Sequence, residues 1–263
     1  MTIEVPGFTS TTLTFQGTCR DVYLRGEGPA VIVMSEVPGI TPSVARFAHR
    51  VADAGFSVYM PQLFGTPMRR LSPAAVLRTF TQVCISREFH LLAADASSPL
   101  VDWLRALARH AHGECGGPGV GAVGMCLTGN FALAMMLGAP VIAPVLSQPS
   151  LPFALTPRRR AALHASPAEL AAAHEQVDHH GARILALRFA SDPMCPAARF
   201  EHLRREFGDA VETIEIADRF ANPKGPRPAH SVLTTHLIDE QGQPTRAALD
   251  RTLAFLREQL VTA

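Results

Sequence analysis

The chain has 263 residues, 47% of them hydrophobic and 18% charged, and 24 basic against 23 acidic residues leave a formal net charge of +1. That is the composition of one large α/β domain or two small ones; it excludes a disordered chain and gives no footing for a nucleic-acid partner or an anionic membrane surface. The five cysteines (Cys19, Cys84, Cys115, Cys126 and Cys195) are odd in number, far apart and form no CxxC pair, which argues against a disulfide framework and for a reducing cytoplasm.

Residues 1–15, MTIEVPGFTSTTLTF, lack the basic flank and apolar core of a signal peptide. No stretch approaches the roughly 18 uninterrupted apolar residues of a membrane span, so no membrane partner is expected. Residues 11–16 and 22–24 predict an N-terminal hairpin. Residues 30–36, AVIVMSE, form a continuous apolar run of the kind found in a buried parallel strand. A helix follows, with Thr41 as N-cap, Pro42 in the first turn and Gly55 at the end. Residues 56–61 predict a strand, residues 73–84 and 98–112 helices, GVGAVGM (119–125) a strand, and CLTGNFALAMML (126–137) a helix.

The alternation continues with strands at 140–146, 182–190 and 211–216 and helices at 167–177 and 196–208. The last helix starts near Pro244 and carries Leu249, Leu253, Leu256 and Leu260 on one face. Strand and helix alternate along the whole length, which predicts a mostly parallel sheet with helices on both faces and a single domain over 1–263. Two irregular segments interrupt it: 147–166, rich in proline and arginine, and 219–228, RFANPKGPRP.

In such a sheet ligands bind at the carboxyl ends of the strands. Cys126 lies at one of them, immediately before a helix. Gly124 and Gly129 would permit a tight turn that lifts a nucleophile out of the sheet. The helix N-terminus would favour a thiolate, and the Leu127 N–H could supply one oxyanion donor. A cysteine nucleophile needs a base, and the base an orienting group. FASDPMCP puts Asp192 after the strand 182–190, and PAHSVLTTHL puts His230 between the strand 211–216 and the last helix. The order nucleophile, acid, histidine is that of the α/β hydrolases.

On these residues the chain resembles the dienelactone hydrolase family, a cysteine-dependent branch of the α/β hydrolases. The match spans about residue 30 to the C-terminus and is carried by VIVMSEVPGI, ADAGFSVYMPQLFG, VGMCLTGNFALA, FASDPMCP and AHSVL. The resemblance implies an α/β-hydrolase fold, Cys126 as nucleophile, Asp192 and His230 as its partners, and Glu36 as the carboxylate that holds the resting thiol. A carboxylate ending an apolar strand is costly without a partner, so a nearby thiol is a sensible one. Val37 would supply the second oxyanion N–H. The sequence departs from the family in two places. Thr128 stands where glycine is usual two residues after the nucleophile. Thr234 stands where dienelactone enzymes carry an arginine for the substrate carboxylate. Arg87, in CISREF, falls where a second substrate arginine would lie. Residues 147–166 look like an insertion sited to cap the pocket.

Other candidates are weaker. His236 rivals His230 as the base, but the AHS match favours His230. His110, His112, His179 and His180 lack a carboxylate or cysteine at a ligating interval, so no metal is expected. Cys195 reads as a packed thiol, and the arginines 158–160 as a solvated face. The glycine run before Cys126 precedes its strand, unlike a nucleotide loop. The reading is therefore a cofactor-free hydrolase of a lactone or carboxylic ester, working through a Cys–His–Asp triad and a thioester on a small-molecule substrate. An acyltransferase on the same triad and a non-catalytic ligand-binding hydrolase fold are the alternatives.

Overall fold

The computed structural model describes residues 3–69, 98–150 and 156–261. The helix expected at 73–84 and Arg87 lie outside them. Eight strands form one sheet: β1 (Thr9–Phe15), β2 (Thr18–Arg25), β3 (Ala30–Met34), β4 (Ser57–Pro61), β5 (Val120–Met125), β6 (Val141–Ser147), β7 (Ile184–Phe189) and β8 (Val211–Ile216). Their order across the sheet is β1-β2-β4-β3-β5-β6-β7-β8. β1 and β2 pair antiparallel, β2 meets β4 antiparallel, and every later pairing is parallel. The expected hairpin and mostly parallel sheet are therefore both present.

β3, β5 and β7 are buried at every position, as continuous apolar runs covered on both faces must be. Alternate side chains of β3 serve opposite cores. Ile32 and Met34 join Trp103, Leu104 and Leu107 of helix α2 (Pro99–Cys115), together with Phe200 and Leu203 of α6 (Ala197–Phe207). Val31 and Val33 join Val44, Phe47 and Val51 of α1 (Pro42–Asp53), and Leu249, Phe255 and Leu256 of the last helix, α7 (Pro244–Leu260). The two cores leave the carboxyl ends of β3, β5, β6 and β7 on one edge.

The helix starts follow their local chemistry. Thr41 Oγ1 accepts the Val44 N–H at 3.3 Å, with Pro42 opening α1. Ser98 does the same for α2. Ser166 and Glu169 form a reciprocal capping box at the start of α5 (Pro167–His180), which follows the short α4 (Pro157–Ala161).

The structure differs from the expectation at 126–137. The sequence pattern predicts a continuous helix there. Cys126–Thr128 instead form a 3₁₀ turn, and the α-helix, α3, runs only from Gly129 to Ala134. The cause is Cys126 itself, whose φ of +57° reverses the chain where a straight helix start would not. Likewise β3 stops at Met34, so Glu36 lies in the loop beyond the strand.

Candidate active site

The turn at the end of β5 is built from short-range contacts. Cys126 sits in the left-handed region, which only a crowded, over-determined turn sustains in a non-glycine residue. Gly124 makes the turn possible: a Cβ there would fall 2.0 Å from the Thr128 carbonyl oxygen. Thr128 does not spoil the geometry. Its hydroxyl is fully buried, accepts the Met125 N–H at 2.8 Å, and shares its proton among the carbonyls of Met125 (2.9 Å), Met34 (3.1 Å) and Ser35 (3.3 Å). The residue that breaks the family pattern thus ties the β5 turn to the end of β3. Gly129 has a different use from the turn itself. A Cβ there would come within 2.9 Å of Pro149 Cα, so its absence lets segment 149–150 lie against the new helix.

That segment reaches the sulfur. Ser150 N–H donates to the Cys126 carbonyl (3.1 Å), and Ser150 Oγ donates to Cys126 Sγ (3.1 Å). Asn130, in the first turn of α3, donates from Nδ2 to both Ser150 O (3.0 Å) and Leu127 O (3.1 Å). Cys126 and Ser150 are both buried.

Asp192 and His230 meet as their positions predict. Asp192 follows β7, and its Oδ2 accepts the His230 Nδ1–H at 2.6 Å. Its other oxygen accepts the Met194 N–H at 3.0 Å, so the carboxylate is held from two sides. His230 Nε2 is buried with no hydrogen-bond partner among the described residues. Burial by itself would pull the imidazole's pKa down. The charge of the Cys126 sulfur and the Asp192 hydrogen bond outweigh it and hold the pKa well above the ordinary histidine value. Cys126 also acts on the ring at hydrogen-bonding approach, although the geometry falls short of a formed bond.

His236 is not a second base on the sulfur. Its Nδ1 accepts the N–H of Ser231 (3.1 Å) and of His230 (3.4 Å), and its Nε2–H donates to Pro226 O (2.7 Å). Burial pushes its pKa down, which keeps it neutral with the tautomer these bonds require. It fixes the backbone that carries His230.

Glu36 is buried, as expected, but its carboxylate has other partners than the thiol. Oε2 accepts from Ser231 Oγ (2.6 Å) and Gln148 Nε2 (3.3 Å), and Oε1 accepts from Thr234 Oγ1 (2.5 Å). No hydrogen bond joins Glu36 to Cys126 among the described residues. Thr234, where dienelactone enzymes carry an arginine, therefore binds Glu36. Val37 N–H has no acceptor among the described residues, and Leu127 N–H belongs to the first turn after Cys126, where helical N–H groups have none of their own.

Segment 147–150 and the His230 loop are gripped from afar. Gln148 has φ +37° and spans three elements: its N–H donates to Leu187 O (2.6 Å), its Oε1 accepts from Ser147 Oγ and from Val232 N–H, and its Nε2 reaches Glu36. Arg199 of α6 is buried. It donates to Pro149 O, to Ala162 O (2.8 Å) and to Arg159 O (3.4 Å), and meets His164 Nε2 at 3.0 Å. Burial lowers its pKa. Cys195 is packed as expected, its thiol pushed up to about 12, chiefly by burial. The sequence reading does not single out Ser150, Gln148 or Ser231, nor the bond of Thr234 to Glu36. The strand-end rule that located Cys126 and Asp192 would have found SQPS (147–150) if applied to β6. No group of three or more His, Cys, Asp or Glu side chains is placed to hold a metal among the described residues. No helix among them is long and apolar enough to cross a membrane.

The strand order, with a turn after β5 and loops after β7 and β8 meeting at one edge of the sheet, is that of the α/β-hydrolase fold. The sequence matches the model of the dienelactone hydrolase family over residues 20–259, and the chain belongs to that family, one of lactone- and ester-type hydrolases. No curated protein matches it. Solved structures share its fold. A candidate dienelactone hydrolase from Klebsiella pneumoniae superposes with TM-score 0.64 at 18% identity, covering 95% of this chain and 98% of that one. A dienelactone hydrolase-like promiscuous phosphotriesterase, P91, from metagenomic libraries gives 0.59 at 19%, covering 96% and 98%. Est1E from Butyrivibrio proteoclasticus gives 0.57 at 11%, covering 95% and 98%. At these identities the likeness is one of fold.

Proposed function

We propose that the chain hydrolyses a lactone or carboxylic ester of a small molecule through a thioester on Cys126, as a single cytoplasmic domain with residues 147–150 against the nucleophile. The Cys126 thiol passes its proton to His230 Nε2, and the sulfur attacks the carbonyl carbon and forms the C–S bond. The developing oxyanion takes the Leu127 and Val37 N–H groups. As the tetrahedral intermediate collapses, the C–O bond breaks and the His230 imidazolium gives its proton to the leaving alkoxide. His230 then deprotonates a water, which attacks the thioester; collapse expels the thiolate and releases the acid. Asp192 holds the ring in the tautomer that leaves Nε2 free for both transfers.

The observation that carries this reading is the Asp192–His230 bond of 2.6 Å with the opposite ring nitrogen buried, unpartnered among the described residues and under the influence of the Cys126 sulfur. The test is hydrolysis of an aryl ester by Cys126→Ala and His230→Ala. Cys126→Ala should be inactive. His230→Ala should lose about 10²- to 10⁴-fold in turnover, the usual worth of a general base, while remaining folded by circular dichroism. Wild-type turnover in either variant sinks the assignment.

A further inference from the structure

We propose that Ser150 is a further catalytic residue, whose hydroxyl donates to the Cys126 sulfur and stabilises its thiolate form. The inference rests on the reading of Cys126 as the nucleophile. Three observations support it. The Ser150 Oγ to Cys126 Sγ distance, 3.1 Å, is short for a bond to sulfur, and among the described residues Ser150 is the sulfur's one formed hydrogen-bond donor. The hydroxyl is preorganised, because Ser150 N–H binds the Cys126 carbonyl and Ser150 O is bound by Asn130 Nδ2. The carboxylate placed to rival it, Glu36, is engaged by Ser231, Thr234 and Gln148.

The chemistry follows from charge. A hydrogen bond to the ionised form favours that form, so the Ser150 hydroxyl lowers the proton affinity of the sulfur. Other titratable groups act on the same atom: His230 with Asp192 behind it, and Cys195, whose own titration feels Cys126. On acylation the sulfur loses its charge and the bond weakens. Ser150 therefore favours the thiolate form and slightly blunts its intrinsic nucleophilicity.

The test is the pH dependence of Cys126 alkylation by iodoacetamide, followed by peptide mass spectrometry in the full chain. In Ser150→Ala the midpoint should rise by about one pH unit, making alkylation below it about tenfold slower. The high-pH plateau should rise about threefold, because a more basic thiolate is the stronger nucleophile. A merely loosened site would not move the two in this way. Ser150→Thr keeps the hydroxyl and should retain the wild-type profile. An unchanged profile in Ser150→Ala, or a Ser150→Thr profile that follows Ser150→Ala, overturns the role of the hydroxyl. If wild-type Cys126 reacts no faster than Cys19, an exposed thiol, the nucleophile reading itself fails, and the inference with it.

Discussion

The β5 turn and the two loops that face it are held together in opposite ways. Gly124, Thr128 and Gly129 lie within five residues of one another, and the Thr128 hydroxyl closes the turn on Met125 and the neighbouring strand. The loops at 147–150 and 229–236 have bonds of their own, Ser147 to Gln148 and the His230 and Ser231 N–H groups to His236, but these do not hold them against the turn. They depend on buried side chains from distant parts of the chain: Arg199 on Pro149, Gln148 on Val232, and Glu36 on Ser231 and Thr234, across 195 and 198 residues of sequence. A nucleophile can be fixed by local sterics. Its partners have to be fixed by buried polar groups, each of which costs free energy if left unpaired.

This contrast makes the two regions separable by mutation. The largest effect is expected in the turn. Gly124→Ala would set a Cβ 2.0 Å from a backbone oxygen that cannot yield, and should destabilise the protein by about 3 kcal/mol, the upper part of the overpacking range. Urea unfolding measures it, and a loss below about 1 kcal/mol would mean that the turn is not over-determined. Arg199→Met comes next. It leaves the Pro149 and Ala162 carbonyls without their donor, at about 1–3 kcal/mol. Because Pro149 precedes Ser150, it should also slow Cys126 alkylation at neutral pH, whereas an equally destabilising substitution on the far face of α6 should not.

The smallest effect is a pH dependence. His236 is depressed below the ordinary value of 6.5. Between its folded pKa and 6.5 the unfolded chain binds the proton that the folded chain refuses, so stability falls as the solution is acidified through that window. His236→Gln removes this titration. Wild type should therefore lose stability between pH 7 and pH 5 more steeply than the variant, by less than about 1.4 kcal/mol per unit of pKa depression. Parallel urea midpoints for the two proteins would exclude a neutral His236 as the support of the loop. His230 has the opposite sign, since its raised pKa gives stability that is complete below 6.5 and is lost as pH rises through the folded value. It is common to both proteins and cancels in the comparison.

The same contrast explains what could be read from the sequence. The sheet, the hairpin and the helices rest on periodicity and, for α1, on the Thr41 cap, all of them local signals. Cys126, Asp192 and His230 were legible because each sits at a strand end in a recognisable order. The partners of Glu36 were not, because no local signal pairs Glu36 with Thr234; only the closed fold does. The short α3 was missed for a related reason. Apolar periodicity continues to Leu137, while the positive φ of Cys126, imposed by the crowding behind it, determines where the helix starts.

The most direct test of the account is to trap the acyl-enzyme. Wild-type protein mixed with excess p-nitrophenyl acetate, quenched in acid and digested, should carry an acetyl group on the peptide containing Cys126. The adduct should persist longer in His230→Ala, where water attack has lost its base. An acetyl group on any other residue during turnover, or undiminished turnover by Cys126→Ala, would contradict the claim that this sulfur is the nucleophile.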